Sequence, residues 1–414
     1  MIRKSVIVGV LFLLLGAGVL FDYFRMPSVA MLVQNDDAAR PREKTAEERV
    51  AEAKQRSENR KGVYMTYDVA ADRGAAANRL RNNILKLMDE TEINAVVIDV
   101  KETKGTMISE NLRETVKAVH EKNGWAIARM AMMRDGSQVK THPEYYIRRG
   151  DGSFWRDNQG NAWMDAASRD VWAYQAGEAK KAIDLGFDEI QFDYVRFPSD
   201  GNMKDIKYPV HDVKKPKYEA IRDFLAYMKK ELKSYKPEII LSADLFGYVA
   251  VMTEDLSIGQ RLVDMQDSIE YISLMVYPSH YYSGFYVPAD KERNLPAVNI
   301  PYRGAAAQVA SSQPYPIIYR SMLIAGDIMT ERIIATTTID GVATTTVTIK
   351  KPYAKMRPWL QDFDLGVDKS RGIYYDAAKV RAQIQAAEDA GTSGWLLWSP
   401  TNVYTIEALK KKTQ

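Results

Sequence analysis

Hydrophobic positions in this chain alternate between short, continuous apolar runs and longer stretches in which apolar residues recur every three or four positions. Residues 63–67, 94–101, 125–130 and 186–198 read as strands, as do 239–246, 271–278, 357–363 and 394–399. Between them, Leu80, Ile84, Leu87 and Met88 mark a helix. Further helical patterns cover 112–120, 171–185, 218–232, 258–265 and 377–390. Runs that are apolar throughout suit strands covered on both faces, as in parallel sheets. Eight strand–helix steps therefore predict an α/β protein with a closed (β/α)8 architecture, the TIM barrel. An open doubly wound sheet is the alternative, but no glycine-rich phosphate loop follows the first strand. The pattern blurs over 305–355. There, Thr-rich runs flank Asp340-Gly341 and predict a β-hairpin inserted at 332–350, before strand seven.

The N-terminus follows another rule. Arg3 and Lys4 precede an apolar run, Ser5 to Phe21, of roughly 17 residues, the lower edge for a membrane span. Residues 1–30 are expected to be a transmembrane signal anchor, or a signal peptide with Ser28-Val29-Ala30 as a poor cleavage site. The two basic residues would stay in the cytoplasm and the barrel outside it, at the cell membrane or, after cleavage, secreted. Residues 31–61 are charged and Ala-rich and read as a partly helical linker, leaving 62–410 for the barrel.

Composition narrows the function. The chain has 414 residues, of which 46% are hydrophobic and 27% charged, as in a folded globular protein. A net charge of +3 without a basic aromatic stripe gives no reason to expect a nucleic-acid partner. Cysteine is absent, which excludes disulfides and zinc–thiolate sites. The four His residues form no metal-binding spacing, so neither a metal nor another cofactor is expected. No Gly-x-Ser-x-Gly elbow is present.

In a barrel of this class the active site forms at the C-terminal ends of the strands. Polar residues gather there: Asp99 and Lys101 on strand two, Asp193 and Arg196 on four, Asp244 on five, Tyr277 and His280 after six, Gln361 and Asp362 on seven, Trp398 on eight. Each alone reads more readily as a helix cap, turn former or structural ion pair; their common rim is what suggests chemistry. Strand parity puts Asp99 and Lys101 on one face and Gln361 with Trp359 on another, favouring Gln361 over Asp362 as pocket-facing. Two carboxylates on one rim suit hydrolysis of a glycosidic bond. Neighbouring strands lie about 4.8 Å apart, so Asp193 as nucleophile and Asp244 as acid/base fit a retaining mechanism. Asp362 is the other candidate for the second carboxylate. Arg196 is expected to keep Asp193 ionised. Trp155, Trp163, Trp359 and Trp398 are sugar platforms or core.

The segments Val97-Ile98-Asp99-Val100-Lys101, Phe192-Asp193-Tyr194-Val195-Arg196-Phe197-Pro198, Arg357-Pro358-Trp359-Leu360-Gln361-Asp362-Phe363 and Gly394-Trp395-Leu396-Leu397-Trp398 resemble a bacterial family of glycoside hydrolase domains. Met275-Val276-Tyr277-Pro278-Ser279-His280-Tyr281 fits it too. The resemblance spans about residues 62 to 405 and implies a glycosidase-like TIM barrel, often behind an N-terminal membrane segment. It implies that Asp99, Lys101, Asp193, Arg196, Tyr277, Gln361 and Trp398 fall in the family's motifs. The expected activity is hydrolysis of a cell-envelope or extracellular polysaccharide, with the membrane as a second partner. The alternative is a non-catalytic glycan-binding or scaffold barrel.

Overall fold

The computed structural model describes residues 42–339, 342–350 and 352–412, with the side chains of 331–351 outside the description. Two units are distinct, 1–45 and Ala46–Gln414, and the second is the barrel. The expected membrane segment, 1–30, lies outside the described residues. Among the described residues no helix is long and apolar enough to cross a membrane.

Eight parallel strands close on themselves. They are β1 (Arg60–Met65), β2 (Ala95–Glu102), β3 (Trp125–Ala131), β4 (Glu189–Asp193), β5 (Ile240–Phe246), β6 (Tyr271–Met275), β7 (Trp359–Gln361) and β8 (Gly394–Trp398). Each pairs with its successor, and β8 returns to β1 with Arg60 opposite Gly394. Gly394 allows that closure: a Cβ there would lie 2.0 Å from the Arg60 carbonyl oxygen, and its φ is +89°. A short stretch, Lys355–Met356, also pairs with β6, and Pro358, which has no N–H for a ladder, separates it from β7.

Six principal helices accompany the strands: α2 (Ala75–Glu90), α3 (Glu110–Glu121), α4 (Arg169–Asp184), α5 (Lys217–Tyr235), α6 (Pro314–Met329) and α7 (Ala377–Asp389). Ser109 and Ser168 cap α3 and α4 through their hydroxyls, and the Asp376 carboxylate caps α7. The pattern over 258–265 forms only a single turn, Leu262–Met265. Strands Glu331–Ile339 and Val342–Lys350 pair antiparallel, with Ile339 opposite Val342, so the inserted hairpin is present between α6 and β7. Its turn lies outside the described residues.

Composition alone reads a spacer through Lys61, but helix α1 (Ala46–Ser57) belongs to the barrel unit. It packs at the N-terminal ends of the strands. Ser57 Oγ lies 2.8 Å from the Tyr271 hydroxyl, and the Arg56 guanidinium sits 5.7 Å from the Trp125 ring centre. Few large apolar residues are needed for this, which is why composition hides it.

Outward-facing strand residues such as Ile98, Ala128, Phe192, Leu245 and Leu274 join the helices in one continuous core. Burying each large side chain contributes about 1.5–3 kcal/mol. Inward-facing residues form a second cluster containing Tyr64, Val97, Trp125, Ile127, Tyr271, Trp359 and Leu396. Below the strand ends, Glu189 is wholly buried and accepts from Arg357, from Ser242 Oγ at 2.5 Å and from Trp125 Nε1 at 2.9 Å. This packed interior leaves the polar rim as the place for a ligand.

Candidate active site

At the C-terminal ends of the strands lies a cleft of about 310 Å³. Asp193, Arg196, Asp244, Tyr277, His280, Trp359 and Trp398 line it, together with Arg129, Tyr194, Phe246, Met275, Phe363 and Leu365. A larger open groove of about 890 Å³ runs along Asp89, Glu90, Lys411 and Lys412, but carries no convergent catalytic groups.

The centre of the site is a residue that sequence reading assigned only to a strand. Arg129 shares inward parity with Trp125 and Ile127 on β3 and is 7% exposed. Its Nη1 donates to Asp99 Oδ1 at 2.5 Å and to Glu102 Oε1 at 3.1 Å, and its Nη2 donates to Asp193 Oδ2. Its Nε stands 3.6 Å from Asp244 Oδ2. Burial opposes the guanidinium charge, but Asp193, Asp99 and Glu102 more than offset this and raise its pKa. A charged residue inside an apolar strand was the available signal.

Asp193 ends β4. Next comes Tyr194 with φ of +49°, a left-handed conformation costing about 1–2 kcal/mol in a side chain of this kind. This turn aims the Tyr194 N–H at Asp193 Oδ1, 2.6 Å away. Asp193 thus accepts from a cation and from a backbone amide, the partners of an ionised carboxylate.

Asp244 sits at the same level on the neighbouring strand, since Phe192 pairs with Ala243. Its environment is opposite in kind. It is 1% exposed, Oδ1 accepts from Trp359 Nε1 at 2.7 Å, and Oδ2 has no hydrogen-bond partner. Burial first, then the charge of Asp193, raise its pKa well above the usual carboxylate range. Oδ1 is engaged as an acceptor, while Oδ2 faces Arg129 Nε without a hydrogen bond. Glu102, on the other side of Arg129, is pushed up to about 7 by burial and by Asp99.

Several expected site residues take other roles. Asp99 is at the site but turned to Arg129 and to the Tyr64 hydroxyl. Lys101 does not share its face. The register shifts between Asp99 and Lys101, a bulge whose extra residue reverses parity. Lys101 is consequently wholly buried, 2.6 Å from Asp135 Oδ2 and 2.6 Å from the Ala131 carbonyl oxygen. Gln361 is also fully buried and absent from the cleft. Its Oε1 accepts from Ser279 Oγ at 2.8 Å and its Nε2 donates to the Phe363 carbonyl oxygen at 2.9 Å, tying the loop after β6 to β7. Asp362 is held by the Thr405 N–H at 2.9 Å and the Thr405 hydroxyl at 2.7 Å.

Arg196 lines the cleft but forms no direct pair with Asp193; Arg129 does. Its guanidinium lies 4.8 Å from the Trp163 ring centre and 4.5 Å from that of Phe246, and burial lowers its pKa to about 10. Trp155 and Trp163 are core: both are 1% exposed, with ring N–H groups bonded to the Asn202 carbonyl and to Asp157. Trp398 stacks on Tyr64 at 3.9 Å and meets Trp359 edge-on at 5.5 Å, forming the aromatic floor. Burial pushes the Tyr277 phenol up and the His280 imidazole down, so both are neutral. Among the described residues no group of three or more His, Asp or Glu side chains could hold a metal ion.

Two carboxylates in different surroundings thus stand side by side at the mouth of a (β/α)8 barrel over an aromatic floor. Residues 62–404 match the family described as "Putative glycosyl hydrolase domain", and the chain belongs to that family. No curated protein matches. Among solved structures, the chain is similar to a hypothetical protein from Ruminiclostridium thermocellum ATCC 27405. The two are 31% identical over 44% of this chain and 96% of that one, with a TM-score of 0.38. It is also similar to the PgaB (BpsB) glycoside hydrolase domain from Bordetella bronchiseptica, at 10% identity over 83% of this chain and 95% of that one, with a TM-score of 0.55. The second likeness is one of fold.

Proposed function

We propose that this glycoside hydrolase cleaves a cell-envelope or extracellular polysaccharide with retention of configuration. The observation that carries the mechanism is the contrast between Asp193 and Asp244 on adjacent strands: one is hydrogen-bonded by the Arg129 guanidinium, while the other is wholly buried and its Oδ2, 3.6 Å from the same guanidinium, accepts no hydrogen bond. One guanidinium lies between them, consistent with the roughly 5–5.5 Å carboxyl separation of retaining enzymes. Asp244 protonates the glycosidic oxygen as the C–O bond breaks, and Asp193 attacks the anomeric carbon to form a glycosyl ester. Water, deprotonated by Asp244, then hydrolyses that ester and restores both groups. Arg129 holds Asp193 in its attacking state and disperses the charge that returns to it.

The envelope or extracellular setting is supported by the N-terminal sequence, where Arg3 and Lys4 precede an apolar run, a pattern that favours a barrel outside the cytoplasm. The test is turnover of cell-wall and exopolysaccharide substrates by the wild type beside Asp193→Asn and Asp244→Asn, with the product anomer followed by NMR. Retained configuration and loss of activity in both variants are expected. Turnover unaffected by Asp193→Asn, or an inverted product, refutes the assignment. Protease shielding of membrane fractions tests the location, and a barrel protected inside intact cells would refute it.

A further inference from the structure

From the cleft, aromatic rings continue outward without a break. Tyr277, on the cleft wall, meets His280 at 5.3 Å and Phe363 at 5.6 Å between ring centres. His280 meets Tyr282 at 5.6 Å, and Tyr282 meets Tyr302 at 5.4 Å. The series starts in a buried wall and reaches the surface at Tyr282, which is 53% exposed, with Tyr302 half-buried beside it.

The outer rings are held in place from behind. Tyr281, the neighbour of Tyr282, is 1% exposed and its hydroxyl lies 3.2 Å from Ser321 Oγ. Arg371 Nη1 donates to the Tyr302 carbonyl oxygen at 3.2 Å, and its guanidinium lies 5.3 Å from that ring centre. The Gln361–Ser279 bonds fix the start of the same loop to β7. Rings positioned this way bind with little ordering cost.

We infer that Tyr282 and Tyr302 form an outer glycan subsite continuous with the cleft, so that the enzyme acts on a chain of several sugars. A sugar ring presents C–H faces bordered by hydroxyls, and tyrosine offers the matching combination of an apolar face and a polar tip. Continuity with the cleft favours this occupant over a protein partner, because the rings run outward from His280 on the cleft wall and would meet a chain that extends past it. The inference rests on the proposed function for its substrate class, and binding can be measured without turnover.

The test uses the full chain carrying Asp193→Asn, with and without Tyr282→Ala and Tyr302→Ala. Native gels cast with soluble peptidoglycan strands or with bacterial exopolysaccharide measure retention. At least one gel is expected to retard the Asp193→Asn protein, and each tyrosine loss to weaken that retention about tenfold, the equivalent of ~1.4 kcal/mol. Tyr282→Trp should restore it, which separates ring stacking from misfolding. In the Asp193-containing enzyme, Tyr282→Ala should raise KM for the polymer about tenfold, leaving kcat and the KM for a disaccharide fragment unchanged. Retention in none of the gels, equal retention by the tyrosine variants, or equal losses on polymer and disaccharide would overturn the subsite. If retention depends on the rings but no substrate is turned over, the subsite stands and the hydrolytic reading falls.

Discussion

Replacing Arg129 with Gln removes the cation shared by Asp99, Glu102 and Asp193 and leaves a shorter, neutral polar side chain. Asp99 is 3% and Asp193 5% exposed, so two carboxylates would be left side by side with little water to screen them. Removing one partner of a buried ion pair costs about 3–5 kcal/mol. Asp193 borders the cleft, where water can enter, so the lower part of that range, about 3 kcal/mol, is the expected loss at pH 7. The pH dependence follows from the sign of the perturbation. Glu102, pushed up to about 7 by burial and by Asp99, loses the cation that opposes that rise, so its folded-state pKa moves further above the unfolded value. The penalty is then largest where Glu102 is ionised and shrinks as the pH falls and it takes up a proton. Guanidinium denaturation of wild type and Arg129→Gln at pH 7 and pH 5 measures both quantities. A difference below about 1 kcal/mol at pH 7, or one that does not narrow at pH 5, would refute the view of Arg129 as the electrostatic centre. Arg129→Lys should recover only part of the loss, because an ammonium cannot present separate donors to Asp99 and Asp193 in the geometry of the guanidinium fork.

Three other outcomes are expected. Because burial raises Asp244 and its protonated form is the acid, kcat should fall as pH rises through its pKa; Asp244→Asn should lower kcat about 10²–10⁴-fold on natural linkages, much less on substrates with activated leaving groups, in a pH–rate series. Lys101→Met should destabilise by about 3–5 kcal/mol by stranding the buried Asp135, yet leave kcat of the folded enzyme unchanged, as paired melting and rate measurements would show. Burial raises the pKa of Glu388, but bonds from Lys410 and Lys61 and the charges of Lys61 and Arg381 outweigh it and hold Glu388 at about 2. Its contribution, discounted for partial exposure to about 1–2 kcal/mol, is therefore complete above the ordinary glutamate range and lost as pH falls toward 2; Glu388→Gln should show that deficit in urea melts at pH 7 but not near pH 2.

Much of this protein was legible before its tertiary structure. Continuous apolar runs separated by amphipathic stretches can bury both faces only as a parallel sheet wrapped in helices, so the eight strands followed from local pattern. The Thr-rich hairpin and the placement of Asp193 and Asp244 on neighbouring strands followed in the same way, because each depends on order along the chain. Partnership between side chains did not follow. A single bulge in β2 turned Lys101 from the cleft to Asp135, and nothing in local spacing announces a bulge. Gln361 faced the predicted side but was taken up by Ser279, because buried amide atoms bind whatever donors and acceptors the fold brings within reach. Arg129 was hidden within a strand, and its importance arises only when β2, β4 and β5 bring carboxylates to it. The rim marked in the sequence by Asp193 and Arg196 therefore remains the candidate site, while the guanidinium bonded to Asp193 belongs to β3. Periodicity decides which residues can be inside; the closing of the barrel decides which of them meet, since electrostatic and hydrogen-bond partners depend on distances of a few ångströms across strands far apart in sequence.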